Sequence, residues 1–377
     1  MKIYDQSGNF KRPIVQRKAF KAEEKIDGGI VKKQLSFSYP LEDGRIYCEE
    51  TIEYGDEIYR VKESPVKGLF GSVVASQDTD QLSGHAIQDF TDTGKNVVQF
   101  VAKALSGTGW TCTNVSASTS DTRNISINNT NSMKALEEIA TVFWVEMAFS
   151  TKERTVRLYS KVGNANSRAK FISGFNLKSL EVKTDTRDFY TRIFPVGKDG
   201  LTIAEVNGGV TYLDNNQYSS DARAVIWEDT NYTDAAKLKR DAEKKLEELS
   251  TPKTTYTAEI MDVFNISDVY EEYAFSLGDE ADIIDGDIDV HTRERIVHIT
   301  RYPDRPEKNT VELSNRTMGF SDMQKKLLAA ADSMSNITNG NIVIGPKVEG
   351  LTAEQIEGLE IYYTSPITNI EIDEICK

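Results

Sequence analysis

Three histidines, His85, His291 and His298, are the imidazole bases of this chain. Nucleophilic catalysis that relies on such a base needs one of them beside a serine or cysteine. His291 and His298 lie seven residues apart in a predicted β-hairpin, so in one ideal strand they point to opposite faces unless Thr292-Arg293-Glu294 forms a turn. His85 follows Leu82-Ser83-Gly84, without a nucleophile elbow or an HExxH spacing. We therefore predict no catalytic residues.

A run of carboxylates between residues 279 and 289 is the best candidate for a metal site, because calcium binds oxygen ligands. Its members are Asp279, Glu280, Asp282, Asp285, Asp287 and Asp289. The loop that starts at Asp285 has glycine in its second position and no glutamate in its twelfth, so it does not match an EF-hand. Turns rich in Asp and Gly explain the run without a metal, and paired carboxylates for glycoside hydrolysis, which form only in space, stay open. We expect no bound metal and no cofactor.

The overall charge argues against a surface that binds nucleic acid. The formal net charge is -14, whereas DNA affinity comes largely from Lys and Arg that displace counterions. We therefore expect weak binding to double-stranded DNA. An acidic surface is compatible with DNA that passes through a lumen, and equally with simple solubility.

The cysteines and the N-terminus indicate an intracellular assembly site. Cys48, Cys112 and Cys376 are odd in number and lack a CxxC spacing, which predicts neither a disulfide framework nor a zinc site. The N-terminus lacks the apolar stretch of a secretory signal, and no window reaches the ~18 uninterrupted apolar residues of a membrane span. We expect no membrane anchor and assembly in a host cytoplasm.

The length of 377 residues predicts two to four domains, and the first half begins with strands. Residues 1–90 alternate apolar and polar side chains, as in an antiparallel sheet. The apolar period becomes helical between about Thr93 and Gly107. A second helix is predicted with Ser132 as its N-cap, followed by a strand at Val145 to Phe149 and a hairpin partner at Thr155 to Tyr159.

The second half is predicted to alternate strands with one helix. Leu201 to Leu213 and Thr254 to Phe264 predict β-structure, and Leu277 to Arg301 predicts a hairpin. A helix is predicted from about Thr233, with one apolar face formed by Leu238, Ala242, Leu246 and Leu249. Its charged face, which includes Lys245, could dock a partner, but a solvated face is the interpretation we adopt.

A last helix is predicted from Ser321, because Ser321-Asp322-Met323-Gln324 matches a capping box. Its apolar residues are spaced 4, 3, 4 and 3 along the chain: Met323, Leu327, Ala330, Met334 and Ile337. This spacing is a heptad seam, narrower than the stripe of a core helix. These five are our candidate oligomerisation residues, although packing on their own domain would produce the same pattern.

One region of the sequence resembles a known family more specifically than composition and short motifs do. Its segments are Phe171 to Leu180, Asp185-Thr186 and Thr191 to Ala204. In this order they resemble the prophage tail protein family, often described as prophage endopeptidase tail or tail-associated lysin. Weaker similarities precede and follow them, at Ser132 to Phe149, Lys152 to Leu158, Arg301-Tyr302-Pro303 and Val311 to Asn315. The resemblance covers roughly residues 1–335 and is most specific at 171–204.

The resemblance implies a β-rich α+β fold like that of a baseplate hub, with antiparallel tube-like domains and small α/β insertions. The domains it implies are residues 1–90 (a tube-like domain completed by strands from about 165–200), 91–164 (a small α/β domain), 165–315 (a second β-rich domain with a helix at 233–250) and 316–377 (a helix and an extended tail). Three copies would surround a channel.

For function, the resemblance implies a virion structural protein at the tail tip and not an enzyme. Such a hub joins the distal tail protein ring to a tip fibre or spike, and opens for tape-measure protein and DNA. Longer members carry a peptidoglycan hydrolase after the hub, and a chain that stops at Lys377 leaves no room for one. The alternatives are a tail-associated cell-wall hydrolase and a carbohydrate-binding module for host attachment. The scattered tryptophans neither support nor exclude carbohydrate binding: Trp110, Trp144 and Trp227.

Overall fold

Antiparallel strands make up most of the regular structure. The computed structural model describes residues 1–263, 270 and 273–315, which all fall in one unit, Met1–Gln324. The predicted β-rich α+β class is confirmed. The helices in the described part are α1 (Asp80–Gly84), α2 (Val97–Leu105), α3 (Ser132–Phe143) and α4 (Ala235–Leu249), with short 3-10 helices at Leu41–Asp43, Lys198–Gly200, Ala204–Val206 and Pro306–Lys308. The predicted domain 316–377 lies outside the described residues.

The first eight strands form what we call the N-terminal lobe. They are β1 (Lys2–Tyr4), β2 (Phe10–Pro13), β3 (Lys18–Asp27), β4 (Ile30–Pro40), β5 (Thr51–Tyr54), β6 (Glu57–Glu63), β7 (Val66–Lys67) and β8 (Phe70–Gln77). Alternate side chains of these strands meet in one core around Phe20, Leu35 and Ile52. The turn between β3 and β4 is Gly28-Gly29, and both glycines have positive φ, as a two-residue hairpin turn of this kind requires.

Residues 80–159 form an α/β unit. Its strands are β9 (Ala86–Lys95), β10 (Thr111–Asn114), β11 (Arg123–Asn131), β12 (Glu146–Ser150) and β13 (Thr155–Tyr159). The predicted hairpin is present as β12 and β13, and α2 and α3 cover a core that includes Phe100, Leu136 and Ile139. The predicted N-cap of the second helix was wrong by one residue. Asn131 caps α3 by accepting a hydrogen bond from the Lys134 N–H, while the buried Ser132 begins the helix.

Nine strands of the described residues follow residue 165. They are β14 (Lys170–Ile172), β15 (Leu177–Asp185), β16 (Arg192–Val196), β17 (Leu213–Asp214), β18 (Ala224–Glu228), β19 (Lys253–Ile260), β20 (Glu280–Asp285), β21 (Val290–Arg301) and β22 (Thr310–Ser314). All except β16, β17 and β18 enclose a core around Phe171, Ile283 and Leu313, which we call the second β lobe. The hairpin turn lies between β20 and β21, so Thr292-Arg293-Glu294 is strand and not turn.

The remaining strands, β16 to β18, pack with α4 into what we call the α4 lobe, around Ile193, Trp227 and Leu246. Asp234 caps α4, as its carboxylate accepts hydrogen bonds from the next turn's N–H groups. Two predictions fail here. From Leu201 to Tyr212 the chain contains turns and 3-10 helix, and a strand begins only at Leu213, because Gly208-Gly209 adopts positive φ that strands do not allow. Lys245, assigned to a solvated face, is buried.

One hydrogen-bonded sheet runs through both β lobes. β3 pairs antiparallel with β21, from Lys25 opposite His298 to Ala22 opposite Arg301. Beyond β21 the strand order continues through β22 and β19 to β15. We expected strands from about 165–200 to complete the N-terminal sheet. In the described residues those strands pair directly with β17, β18, β19 and β20, and the strand of the second β lobe that pairs with β3 is β21.

Two glycines allow the segment after β13 to cross the second β lobe. Gly163 and Gly278 have φ of +90° and +88°, and a Cβ on Gly163 would lie 2.0 Å from the carbonyl carbon of Gly278. The two backbones are therefore in direct contact, which any side chain would prevent. This contact joins the end of the α/β unit to the turn before β20.

We predict that Gly163→Ala lowers the free energy of unfolding by about 3 kcal/mol or more, because backbone strain and a backbone clash add together. Gly174→Ala is the matched control, since Gly174 has φ of +79° but no atom within 4 Å of the added Cβ. It should cost only about 1 to 2 kcal/mol. Urea unfolding of both variants gives the comparison, and equal losses would show that the crossing relaxes.

Candidate functional site

His85 and Ser132 form a serine–histidine pair. His85 Nδ1 lies 2.9 Å from Ser132 Oγ. Ser132 is completely buried, and its hydroxyl donates to the Ala104 carbonyl at 2.6 Å. A nucleophile must reach a substrate and pass its proton to the base, and this hydroxyl does neither. The pair fixes the first turn of α3 to the end of α2.

His298 occupies the seam between the two β lobes, while His291 is exposed on the same strand. His298 Nε2 lies 3.5 Å from Glu23 of β3, and its Nδ1 lies 3.2 Å from Glu312 of β22. The hydrogen bond to His298 holds the pKa of Glu312 below its usual range. This histidine links strands of both lobes.

Carboxylates of the acidic run form ion pairs and accept backbone hydrogen bonds in turns. Glu280 and Asp282 both accept hydrogen bonds from Arg293, at 3.3 and 2.9 Å. Asp279 accepts from the backbone N–H of Asn164, and Asp285 from that of Asp287. The described part of the chain contains no group of three or more His, Cys, Asp or Glu that could hold a metal. These carboxylates therefore shape the β20–β21 hairpin.

A buried ion pair fastens the α/β unit to the second β lobe. Arg295 of β21 donates two hydrogen bonds to Glu146 of β12, at 2.7 and 2.5 Å. Glu146 also accepts from the Val162 N–H, and Arg295 donates to the Val162 and Gly278 carbonyls. Bidentate geometry with additional backbone partners is what a buried charge pair needs. It lies beside the contact of the two glycines.

A second buried network fastens the α/β unit to the α4 lobe. Asp241 of α4 is completely buried and accepts hydrogen bonds from Arg123 of β11 and, at 2.8 Å, from the Tyr232 hydroxyl. Burial alone would raise the pKa of Asp241, but the hydrogen bonds from Arg123 and Tyr232 lower it below its usual range. Around this network, Lys237 donates to the Thr122 carbonyl.

Three titratable groups cluster at the same junction. Asn231 donates to Glu138 of α3 at 3.4 Å and also, through its backbone N–H, to Asp229. Burial, and then the charge of Asp229, raises the pKa of Glu138 to about 7, and burial also raises the pKa of Asp229. Lys245 Nζ lies 5.0 Å from the centre of the Trp227 ring, and burial lowers the pKa of Lys245 to about 7.

Sequence reasoning missed this cluster, although one signal was present. Lys245 follows Ala242 by three residues and precedes Leu249 by four, which is the spacing of the apolar face of α4. The predicted oligomerisation residues, Met323, Leu327, Ala330, Met334 and Ile337, lie outside the described residues, and their role stays a prediction. In the part that the structure describes, no helix is long and apolar enough to cross a membrane.

The raised pKa of Glu138 predicts a pH-dependent junction. Between its ordinary pKa of 4.5 and about 7, Glu138 binds more proton in the folded than in the unfolded chain. Its contribution to stability is therefore complete below pH 4.5 and is lost as the pH rises to about 7. Glu138→Gln cannot ionise, so its stability relative to the wild type should rise across this window and then level off. Urea unfolding at successive pH values measures this difference.

Glu228→Gln is the control, because Glu228 is exposed beside Asp229. It removes the same charge from an exposed position, so its pH profile is the baseline for the profile of Glu138→Gln. If both variants give the same pH profile, Glu138 does not titrate at the junction.

Comparison with known proteins gives a family-model match over part of the chain and a similar fold. Residues 165–324 match the model of the family described as prophage endopeptidase tail. No curated protein matches the sequence. The fold is similar to that of prophage tail protein gp18 from Listeria monocytogenes EGD-e, with a TM-score of 0.63, 14% identity, and coverage of 88% of this chain and 98% of that one.

Two further crystal structures are similar. The 43 kDa tail protein of prophage MuSo2 from Shewanella oneidensis has a TM-score of 0.60 and 12% identity. The aligned part covers 83% of this chain and 98% of that protein. The tail protein from Neisseria meningitidis MC58 has a TM-score of 0.59 and 12% identity, with coverage of 83% and 94%. The resemblance to the prophage tail protein family is thereby confirmed: residues 165–324 match the family model, and the fold is that of prophage tail proteins.

Proposed function

We propose that this chain is a structural subunit of a phage or prophage tail tip, a baseplate hub that forms a ring of three copies at the distal end of the tail tube. The ring joins the tube and its distal tail protein to a tip fibre or spike. It opens for the tape-measure protein and for DNA, which passes through the lumen without specific binding. The family match over residues 165–324 and the fold shared with prophage tail proteins support this proposal.

The single sheet that runs through both β lobes is the observation that carries the proposal. A subunit of a ring wall must keep its lobes at a fixed angle while a polymer passes. Hydrogen bonds between β3 and β21 supply that constraint, and the Glu146–Arg295 pair fastens the α/β unit against the same strand. The net charge of -14 favours a wall to which DNA does not adhere.

We infer a non-enzymatic role for the described part of the chain. The family description includes an endopeptidase, so a cell-wall hydrolase is the alternative to test. Ser132, the serine beside His85, is sealed from solvent, and the hydrogen bonds of the acidic run are structural. Trp110 and Trp227 are buried in cores, so neither offers a ring for a sugar to stack on.

Labelled tails test the proposal directly. We expect an antibody or tag on this chain to mark the distal end of purified tails, with three copies per tail. A label along the tube or on the capsid would contradict a tail-tip hub. Clearing of peptidoglycan by the pure protein in a zymogram would instead favour the hydrolase.

The heptad seam predicts that the helix from Ser321 helps the copies meet. Leu327→Asp should weaken assembly, because three carboxylates on one axis repel each other and lose hydration. Leu328→Asp is the matched control, since Leu328 is the neighbouring leucine and is absent from the seam. Light scattering at high concentration, with and without the distal tail protein, compares the two. Equal assembly would mean that the seam packs on its own domain.

A further inference from the structure

The strand β15 forms one edge of the sheet that joins the lobes. It runs for nine residues, from Leu177 to Asp185, and among the described residues it pairs along its length only with β19. In an antiparallel ladder, alternate residues direct their N–H and C=O groups away from the partner strand. The outer side of β15 therefore offers a row of hydrogen-bonding groups to another strand.

Apolar side chains accompany this edge. Val182, near the middle of β15, is 41% exposed, and it follows Leu180, which packs partly against the core of the second β lobe. Phe175 and Met261 are also exposed, and they lie at the start of the strand, where the Met261 N–H donates to the Asn176 carbonyl. An open edge flanked by exposed apolar groups is a surface that pairs readily with another strand.

The chain itself shows how one lobe joins the next. The N-terminal lobe meets the second β lobe by pairing between the edges of β3 and β21, and β3 carries six charged residues where β15 carries four. The charges of β3 meet opposite charges on β21, where Glu24 lies 4.0 Å from Arg301, so a charged edge pairs with a strand whose charges match it. β15 lies at the opposite end of the strand order that starts at β21, so a further lobe joined in the same manner would meet β15.

We propose that the open edge of β15 is the surface through which one copy of this chain pairs with the next, by adding a strand of the neighbouring copy to the sheet. The proposal rests on the ring proposed above and identifies its contact. It makes the interface heterologous, because one edge of each copy meets a different surface of its neighbour, as ring closure requires.

Two valine substitutions test the edge. Val182→Lys places a charge on β15, whereas Val115→Lys places the same charge on a valine that is 53% exposed in the loop after β10. We expect sedimentation velocity of the full chain to show self-association at high concentration. Val182→Lys should weaken this association at least about tenfold, while Val115→Lys leaves it unchanged. Thermal melting confirms that both variants remain folded.

Hydrogen exchange of the segment 177–185 identifies what covers the edge. If copies pair through β15, its amides should become protected as protein concentration rises. Protection that is already complete at the lowest concentration would mean that another part of the same chain covers the edge, and it would overturn the proposal.

The remaining outcomes are also decisive. A wild-type chain that stays monomeric at every concentration, or equal association by wild type and Val182→Lys, rejects β15 as the contact. Neither result depends on where labelled chains appear in tails, so the hub proposal stands or falls separately.

Discussion

The pairing of β3 with β21 is the constraint on which the rest of the structure depends. Only four residue pairs form it, yet it merges two lobes with separate cores into one sheet. A flexible linker would leave such lobes free to rotate, whereas a shared ladder fixes both their distance and their twist. The α/β unit then docks beside this seam, where β12 meets the turn of the β3–β4 hairpin and Glu146 meets Arg295 of β21.

Buried charges define how the units fit together. Arg123 with Asp241, and Glu146 with Arg295, each connect elements of different cores. Such pairs contribute little net stability because both charges lose water, but leaving one partner alone costs about 3–5 kcal/mol. A displaced arrangement of the units would leave these charges unpaired. The two networks therefore favour one geometry over near alternatives.

Local patterns predicted the regular elements well and the contacts between them poorly. The helical periods identified α2, α3 and α4, and the alternation identified the β12–β13 and β20–β21 hairpins, because each depends on neighbours a few residues apart. The strand predicted from Leu201 failed because backbone conformation at Gly208-Gly209 overrides apolar content. The pairing of β3 with β21 and the contact of Gly163 with Gly278 join distant residues, so no local pattern could reveal them.

The distance along the chain between β3 and β21 sets an order of events during synthesis. The N-terminal lobe can fold once its eight strands have left the ribosome, but its partner strand ends only at Arg301. At a synthesis rate of about 5–20 residues per second, the edge of β3 stays unpaired for more than about ten seconds before β21 is complete. Lys21, Glu23, Glu24 and Lys25 lie along it, and charged side chains discourage pairing with strands of other nascent chains. The charges on β3 thus protect the nascent chain from mispairing before they contribute to the seam of the folded protein.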